Sequence, residues 1–393
     1  MVPLSYNIRS LWMRRSTTFA VALGIALVVF VLSNVLVLQR AIRATFVGTG
    51  RADVAIVLRA GSDSELSSFF FHDATFGAIR SARGVALDAT GAPIASGEVL
   101  VVLPMARGPA LPDANLRLRG LMDGGLALHP GVHIIAGRAP SFSVDEAMVG
   151  AALSARFEQL RVGSHIDVGT GRPVRIVATF ADQNSSSESE IFAGIDLVRE
   201  AFGRPGALSS ARVRLSSPSS LDTFRASLSE TRGLAMGAGL RVERETDYYE
   251  SQAASLTRFV ATMGSLIGGF FAIAAILGTM TTMLASVDKR RRELAILRAI
   301  GFTQRSVAFS LFLECVLLAT VAGSLGAVAA QLSSARSLDI ADVSSGLDTV
   351  FALSPDLSTL GAAVAVAVAL GALSGIAPAL RASRIELSQA MRA

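Results

Sequence analysis

The chain has 393 residues, 51% of them hydrophobic, 17% charged and 6% aromatic, with a mean hydropathy of +0.52 and a formal net charge of +5. This is more apolar surface than one soluble core needs, which excludes an ordinary soluble domain and points to a membrane. The pI near 10.2 would mark a nucleic-acid binder only if the basic residues formed one patch; here they follow a membrane topology instead.

In chain order, residues 1–15 form an N-terminal amphipathic segment with Arg9, Arg14 and Arg15 and no acid. Four runs then approach the roughly 20 apolar residues that cross a hydrocarbon core of about 30 Å. They are 16–39, 259–287, 306–330 (broken only by Glu314) and 357–380. The first run competes with a signal peptide, but its apolar core exceeds the roughly 7–15 residues of a secretory h-region. No convincing A-x-A site follows before Arg40, so it is read as a retained helix.

Short loops rich in Lys and Arg stay in the cytoplasm. Loop 288–305 holds Lys289, Arg290, Arg291, Arg292, Arg298 and Arg305, and the tail 381–393 adds Arg381, Arg384 and Arg392. Loop 331–356 carries only Arg336 against Asp339, Asp342, Asp348 and Asp356. The expectation is a multi-pass protein of the inner (plasma) membrane with both termini and loop 288–305 inside. Segments 40–257 and 331–356 then lie outside.

Segment 40–257 carries 22 arginines against 23 acids, so its charge is nearly balanced. Val54 to Ala60, Glu98 to Pro104, HIDV at 165–168, Pro173 to Phe180 and Ala211 to Ser216 read as strands. Ala147 to Leu160 and Ser220 to Arg232 read as helices, and the Ser-rich Asp182 to Glu190 as a mobile loop. The two ends of the segment are expected to meet in one subdomain, the middle forming a second. The fold class is thus an α-helical membrane protein with four transmembrane helices, plus a large mixed α/β extracytoplasmic domain inserted between helices 1 and 2. The helical pattern from Ser16 to Phe46 outruns a bilayer at about 1.5 Å per residue. Glu245 to Arg258 can run as helix straight into the second span, so both spans are expected to continue outward as a stalk.

Chemistry-bearing residues are few. Cys315, in the third span, is the single cysteine, which leaves the outer segment without a disulfide. Lys289 is the only lysine; it follows Ala-Ser-Val-Asp rather than the glycine-rich loop a P-loop needs, so no nucleotide hydrolysis is expected of these residues. His129 and His133 have i,i+4 spacing, but Pro130 and Gly131 break any shared helical face, and neither these nor His72 and His165 make a metal site. No G-x-S-x-G or H-E-x-x-H motif occurs. Phe69, Phe70 and Phe71 read as core or loop anchor. Glu314 lies about nine residues, roughly 13 Å, into its span, and needs an inward partner or a proton. Gly264/Gly268 and Gly371/Gly375 repeat at a spacing that lets helices approach closely.

The informative stretch is Val287 to Val307. Leu294, Leu297 and Ile300, with Ile296 beside them, form an apolar face at helical spacing, and Gly301 supplies a stop. Arg292-Glu293-Leu294-Ala295-Ile296-Leu297-Arg298-Ala299-Ile300-Gly301 resembles the R-E-[IL]-x-[IL]-x-[RK]-A-[IL]-G motif of MacB/FtsX-type ABC transporter permeases. The N-terminal segment with the first span, Phe312 to Ala330 with its glutamate before a Gly-rich stretch, and Gly375 to Ala393 resemble further pieces of that family in order. The tail departs from the family signature at Glu386, Leu387 and Gln389. More loosely, the outer segment is similar to the family's periplasmic core.

The resemblance implies a permease subunit, not itself an enzyme, paired with a separately encoded ABC ATPase. That partner would bind ATP and Mg and receive the Glu293 to Ile300 helix in a groove, and this chain would bind no cofactor. It further implies a homodimer, or a heterodimer with a related permease, and a periplasmic adaptor (membrane fusion protein) with an outer-membrane channel. The expected partners include membrane lipids and no nucleic acid. ATP-driven movement would drive export or extraction of a substrate; the alternative is an FtsX-like regulator that activates a periplasmic cell-wall hydrolase.

Overall fold

The computed structural model describes residues 15–71, 73–107, 113–169, 171–230, 239–333, 338–341, 348–351, 353 and 357–383. The amphipathic segment before Arg15, His72, and the tail from Arg384 onward with Glu386, Leu387 and Gln389 lie outside the described residues. The chain divides into a helical unit (residues 1–40, 258–336 and 353–393) and a mixed α/β unit (residues 41–257 and 337–352).

In chain order the elements begin with α1 (Arg15–Val47), β1 (Val54–Arg59), β2 (Phe70–Phe71), α2 (Asp73–Arg80), β3 (Ala95–Met105), β4 (Ala114–Leu121), β5 (His133–Gly137) and β6 (Glu146–Gly150). Next come α3 (Ala151–Ser154), β7 (His165–Val168), β8 (Arg172–Ala181), β9 (Glu190–Gly194), α4 (Ile195–Ala201), β10 (Ala207–Leu208), β11 (Ser210–Arg214), α5 (Leu221–Glu230) and β12 (Leu240–Arg244). The chain continues through α6 (Glu245–Lys289), α7 (Arg291–Ala299), α8 (Gln304–Ser333), β13 (Leu338–Ala341), β14 (Asp348–Phe351) and α9 (Leu357–Ser383).

Helices α1, α6, α8 and α9 are each long and apolar enough to cross a membrane. A helix satisfies its backbone polar groups internally, as a solvent without hydrogen-bonding partners demands. α1 has 33 residues and α6 has 45, about 50 Å and about 68 Å at the helical rise. Val21, Ile25 and Val29 of α1 form the core of the helical unit with Cys315, Ala319 and Ala322 of α8 and Ala367 of α9. Small residues dominate because helices in lipid cohere through close packing. Gly264 and Gly268 of α6 face Val35 and Leu32 of α1, while Gly371 and Gly375 of α9 face Ala319 and Cys315 of α8. All four contacts are therefore made within this chain. Two closer approaches lie outside the Gly-x-x-x-Gly pairs: Gly323 abuts Ala367, and Gly326 abuts the Ala26 backbone. The rest of α6 leaves Leu266, Ile267, Phe270, Ile273 and Leu277 exposed.

The mixed unit is built on a ten-stranded sheet in the order β12-β1-β11-β3-β4-β9-β6-β8-β5, with β7 paired to β8. β4 with β9 and β6 with β8 are parallel, and the remaining pairs are antiparallel. The ends of the segment do meet, since β1 lies between β11 and β12, but the middle strands extend the same sheet where a second subdomain was expected. One face, with Val57, Val99, Leu116, Leu118 and Ile191, packs beneath Val198 of α4 and Phe224 of α5. Strand alternation sends Glu98, Leu100, Arg117, Arg119 and Arg212 to the other face, as the pairings Leu100↔Arg119 and Ser96↔Arg212 require.

Three expectations need correction. Ala147–Leu160 is not one helix: Ala147, Met148 and Val149 pair into the sheet between β8 and β9, and only short helical turns at Ala151–Ser154 and Glu158–Leu160 follow. Tertiary pairing overrides the helix propensity of an Ala-rich run. The Ser-rich stretch is an ordered, buried 3-10 turn at Ser186–Ser189. There the Glu188 carboxylate accepts from the amides of Asp182 (2.7 Å) and Asn184 (2.9 Å), so serines and acids replace solvent as backbone partners. Finally, residues 331–356, read as a loop, contain the β13–β14 hairpin, and Phe351 is buried 6.1 Å from the Phe46 ring.

Candidate functional site

The basic segment between α6 and α8 folds as α7, closed by a Schellman turn. Gly301 takes φ +109°, the Gly301 amide donates to Arg298 O (3.1 Å) and the Phe302 amide to Leu297 O (3.2 Å). Phe302 and Leu297 both pack on a small core of Val287, Leu294, Val307, Leu311 and Ala382, which completes the apolar contact of the motif. Gly301 is thus placed where only a residue without a Cβ is unstrained.

That small core corrects the composition of the outward face. Leu294, assigned to the partner-facing side, is 3% exposed and Leu297 is half-buried, both turned toward the helices of their own unit. Ile296 (49% exposed) and Ile300 (72% exposed) are the apolar side chains left outward. Arg292 and Glu293 are exposed and Arg298 is half-buried around them. Glu314 is buried in α8 with the Arg290 guanidinium 3.6 Å away, and Arg290 also donates to Glu293 (3.1 Å). The inward partner that Glu314 needed therefore comes from the basic run, where an arginine looks like one topology charge among six.

Sequence reasoning missed a second constellation, in the mixed unit. Arg119 and Arg212, both under 3% exposed, face four buried carboxylates. Arg119 contacts Glu190 (2.6 Å), Glu98 (2.7 Å) and Glu65 (2.9 Å); Arg212 contacts Glu245 (2.8 Å), Glu65 (3.2 Å) and Glu98. The Arg212 guanidinium also donates to Tyr249 Oη (3.2 Å), and the Glu65 amide donates to Tyr248 Oη (3.1 Å). Four strands, the loop after β1 and the first residues of α6 are thereby joined through one cluster. Burial pushes the Glu65 pKa up, but the Arg119 and Arg212 charges outweigh it and hold the carboxyl below the usual range. The available signal was arginine at alternate positions of an apolar strand, LRLRGL at 116–121.

His129 abuts this cluster, its Nε2 3.3 Å from Glu98 and its ring 5.5 Å from Phe192. His133 is exposed, its Nδ1 3.0 Å from Gly131 O, so the two histidines have separate surroundings. Burial lowers the His129 pKa below its ordinary value. The unfolded chain then binds a proton near pH 6.5 that the folded one resists, so stability falls as pH drops below about 6.5. One such group gives a slope of at most about 1.4 kcal/mol per pH unit. Urea unfolding between pH 7 and pH 5 should show this slope for the native chain and a flatter one for His129→Gln; equal slopes would assign the titration elsewhere.

A MacB-like periplasmic core domain is matched over residues 16–231, and an FtsX-like permease C-terminal domain over residues 265–387. The class of protein is thus a helical permease carrying a large mixed α/β domain. The chain belongs to the MacB/FtsX-type ABC transporter permease family. It is 29% identical over 146 residues to the ABC transporter permease YvrN of Bacillus subtilis, covering 36% of this chain and 33% of that one. It is 29% identical over 140 residues to the macrolide export ATP-binding/permease protein MacB of Shewanella oneidensis, covering 35% and 20%. The chain therefore spans a third or less of the length of these relatives. The crystal structure of the periplasmic region of MacB from Actinobacillus actinomycetemcomitans aligns at TM-score 0.38 and 12% identity, over 52% of this chain and 94% of that one.

Proposed function

We propose that this chain is a permease subunit that couples ATP hydrolysis by a separate ABC ATPase to conformational change in its mixed α/β domain, driving export or extraction of a substrate across the cell envelope. The observation that carries the reading is the outward pair Ile296 and Ile300 on a basic helix between two candidate spans. Apolar residues at 49% and 72% exposure fit a partner groove, and Arg292 and Arg298 beside them would steer an acidic rim. Lys289, without a glycine-rich loop, leaves nucleotide chemistry to residues outside these 393. α6 runs unbroken from Glu245, in the buried ion cluster, to Lys289, one residue before α7. A continuous helix is a stiff route for movement.

In this reading loop 288–305 and both termini are cytoplasmic, the mixed domain is periplasmic and the membrane is the inner one, as the positive-inside rule favours. Two copies, or one with a related permease, would work with two ATPase subunits, and an adaptor could carry substrate to an outer-membrane channel. The test is co-purification with the co-expressed cognate ATPase. Replacing Ile296 and Ile300 with alanine removes side chains worth about 1.5–3 kcal/mol each when fully buried, so recruitment should fall about tenfold or more. Leu294→Ala should instead act on folding of the α7 hairpin. ATPase recovered at native yield with a correctly inserted double variant would overturn the coupling role.

A further inference from the structure

On the sheet face that carries the ion cluster, the mixed unit lines an open cleft of about 910 Å³. Three of the four guanidinium groups on its wall are already engaged. Arg119 is held by Glu65, Glu98 and Glu190; Arg241 is chelated by Glu243 at 2.7 and 3.0 Å; and Arg204 lies 4.4 Å from the centre of the Phe69 ring. Arg117 is different. It is 93% buried by its 7% exposure, yet its guanidinium has no hydrogen-bond or ion-pair partner among the described residues. Its register neighbour Glu190 is turned to Arg119, which it meets at 2.6 and 3.0 Å.

A largely buried guanidinium without a protein partner is left to water or to an anion supplied from outside the chain. A planar guanidinium matches carboxylate or phosphate oxygens two at a time. Besides the arginines, the lining includes the carboxylates of Asp63, Glu65 and Glu190 together with several apolar side chains. Leu100 and Val102 lie beside Arg117 on the same sheet face, and Leu66, Phe46 and Phe202 also line the cleft. The volume falls within the range of small-molecule sites. We infer that this cleft binds an anionic amphiphile, its carboxylate or phosphate group seated on Arg117 and its apolar body against Leu66, Leu100, Val102 and Phe202. The site lies wholly in the mixed unit and does not rest on ATP coupling, so its failure would leave the permease reading untouched, and the reverse.

The test uses the full chain in nanodiscs of zwitterionic phosphatidylcholine and a photoactivatable long-chain fatty acid as the probe. Labelling should be saturable, map to peptides containing Leu66 or Val102, and be competed by the unmodified acid but not by the alcohol of equal length. Arg117→Gln should reduce it at least tenfold, and Arg117→Lys should restore part of it. A parallel arm adds phosphatidylglycerol to the discs: competition there assigns the anion to a lipid headgroup, and its absence assigns it to a free acid. Because Arg117 holds no ion pair, Arg117→Gln without ligand should melt at or above the native temperature. Equal labelling of Arg117→Gln, equal competition by the alcohol, absence of saturable labelling, or a lower melting temperature for Arg117→Gln would each overturn the inference and leave a hydrated cleft.

Discussion

Replacing Arg212 with methionine should destabilise the mixed domain by about 3–5 kcal/mol, the cost of breaking a buried ion pair from one side. Arg212 faces Glu65, Glu98 and Glu245, all buried, and its removal leaves Arg119 as the only arginine facing four carboxylates in the cluster. The loss is a large share of the roughly 5–15 kcal/mol that holds a domain together. It also carries a pH signature of known sign. In the native domain Glu65 is held below its ordinary pKa, so the stability it contributes is present above the unfolded value and is lost as pH falls through the folded one. In the variant the uncompensated carboxylates favour protonation. The folded state then binds more protons than the unfolded one, and the penalty shrinks as pH is lowered toward 5. Pulse proteolysis in urea at pH 7.5 and pH 5 measures both quantities. Adding Glu98→Gln to the variant should recover part of the loss by removing one unpaired charge. A penalty below about 1 kcal/mol, or one that grows in acid, would mean that the cluster is not the electrostatic anchor of Glu245.

The elements that were legible are those whose physics is local. A bilayer sets the length of an apolar run, so 16–39, 259–287, 306–330 and 357–380 fall within α1, α6, α8 and α9. Alternation sets a strand, so Val54 to Ala60 and Pro173 to Phe180 lie on β1 and β8 within a residue or so. What stayed hidden depends on distant partners. Ala147 to Val149 look helical until β8 and β9 claim their backbone from either side. Leu294 and Ile300 look equivalent on a helical wheel; only the packing of Val287, Val307 and Ala382 separates the inward residue from the outward one. The ion cluster draws on Glu65, Glu98, Arg119, Glu190, Arg212 and Glu245, spread over 180 residues, and no local pattern joins them. Arginine on a strand reads as surface until its buried carboxylate partners are known.

Distant partners also rank the glycines, because what each one meets differs where the spacing looks alike, and this sets the second large expected effect. Gly326→Leu should destabilise the helical unit more than Gly264→Leu, although only Gly264 of the two belongs to a Gly-x-x-x-Gly pair, with Gly268. At Gly264 an added Cβ would meet the methyls and Cβ of Val35, a single side chain, which gives way more readily than backbone. At Gly326 it would meet the carbonyl oxygen, carbonyl carbon and Cα of Ala26, which cannot rotate away without moving α1. Overpacking typically costs about 1–3 kcal/mol; the backbone contact puts Gly326→Leu at or above about 3 kcal/mol and Gly264→Leu near about 1 kcal/mol. Gly361, with nothing within 4 Å of a built Cβ, is the control, and Gly361→Ala should be neutral or slightly stabilising. Cys315 provides the readout, being the chain's single cysteine, 1% exposed in the core shared by α1, α8 and α9. Labelling by a thiol-reactive fluorophore during a thermal ramp should begin at a markedly lower temperature in Gly326→Leu, modestly lower in Gly264→Leu and unchanged in Gly361→Ala. If Gly326→Leu and Gly264→Leu released Cys315 at the same temperature, the close approach of α8 to the α1 backbone would not be the contact that limits the stability of this bundle.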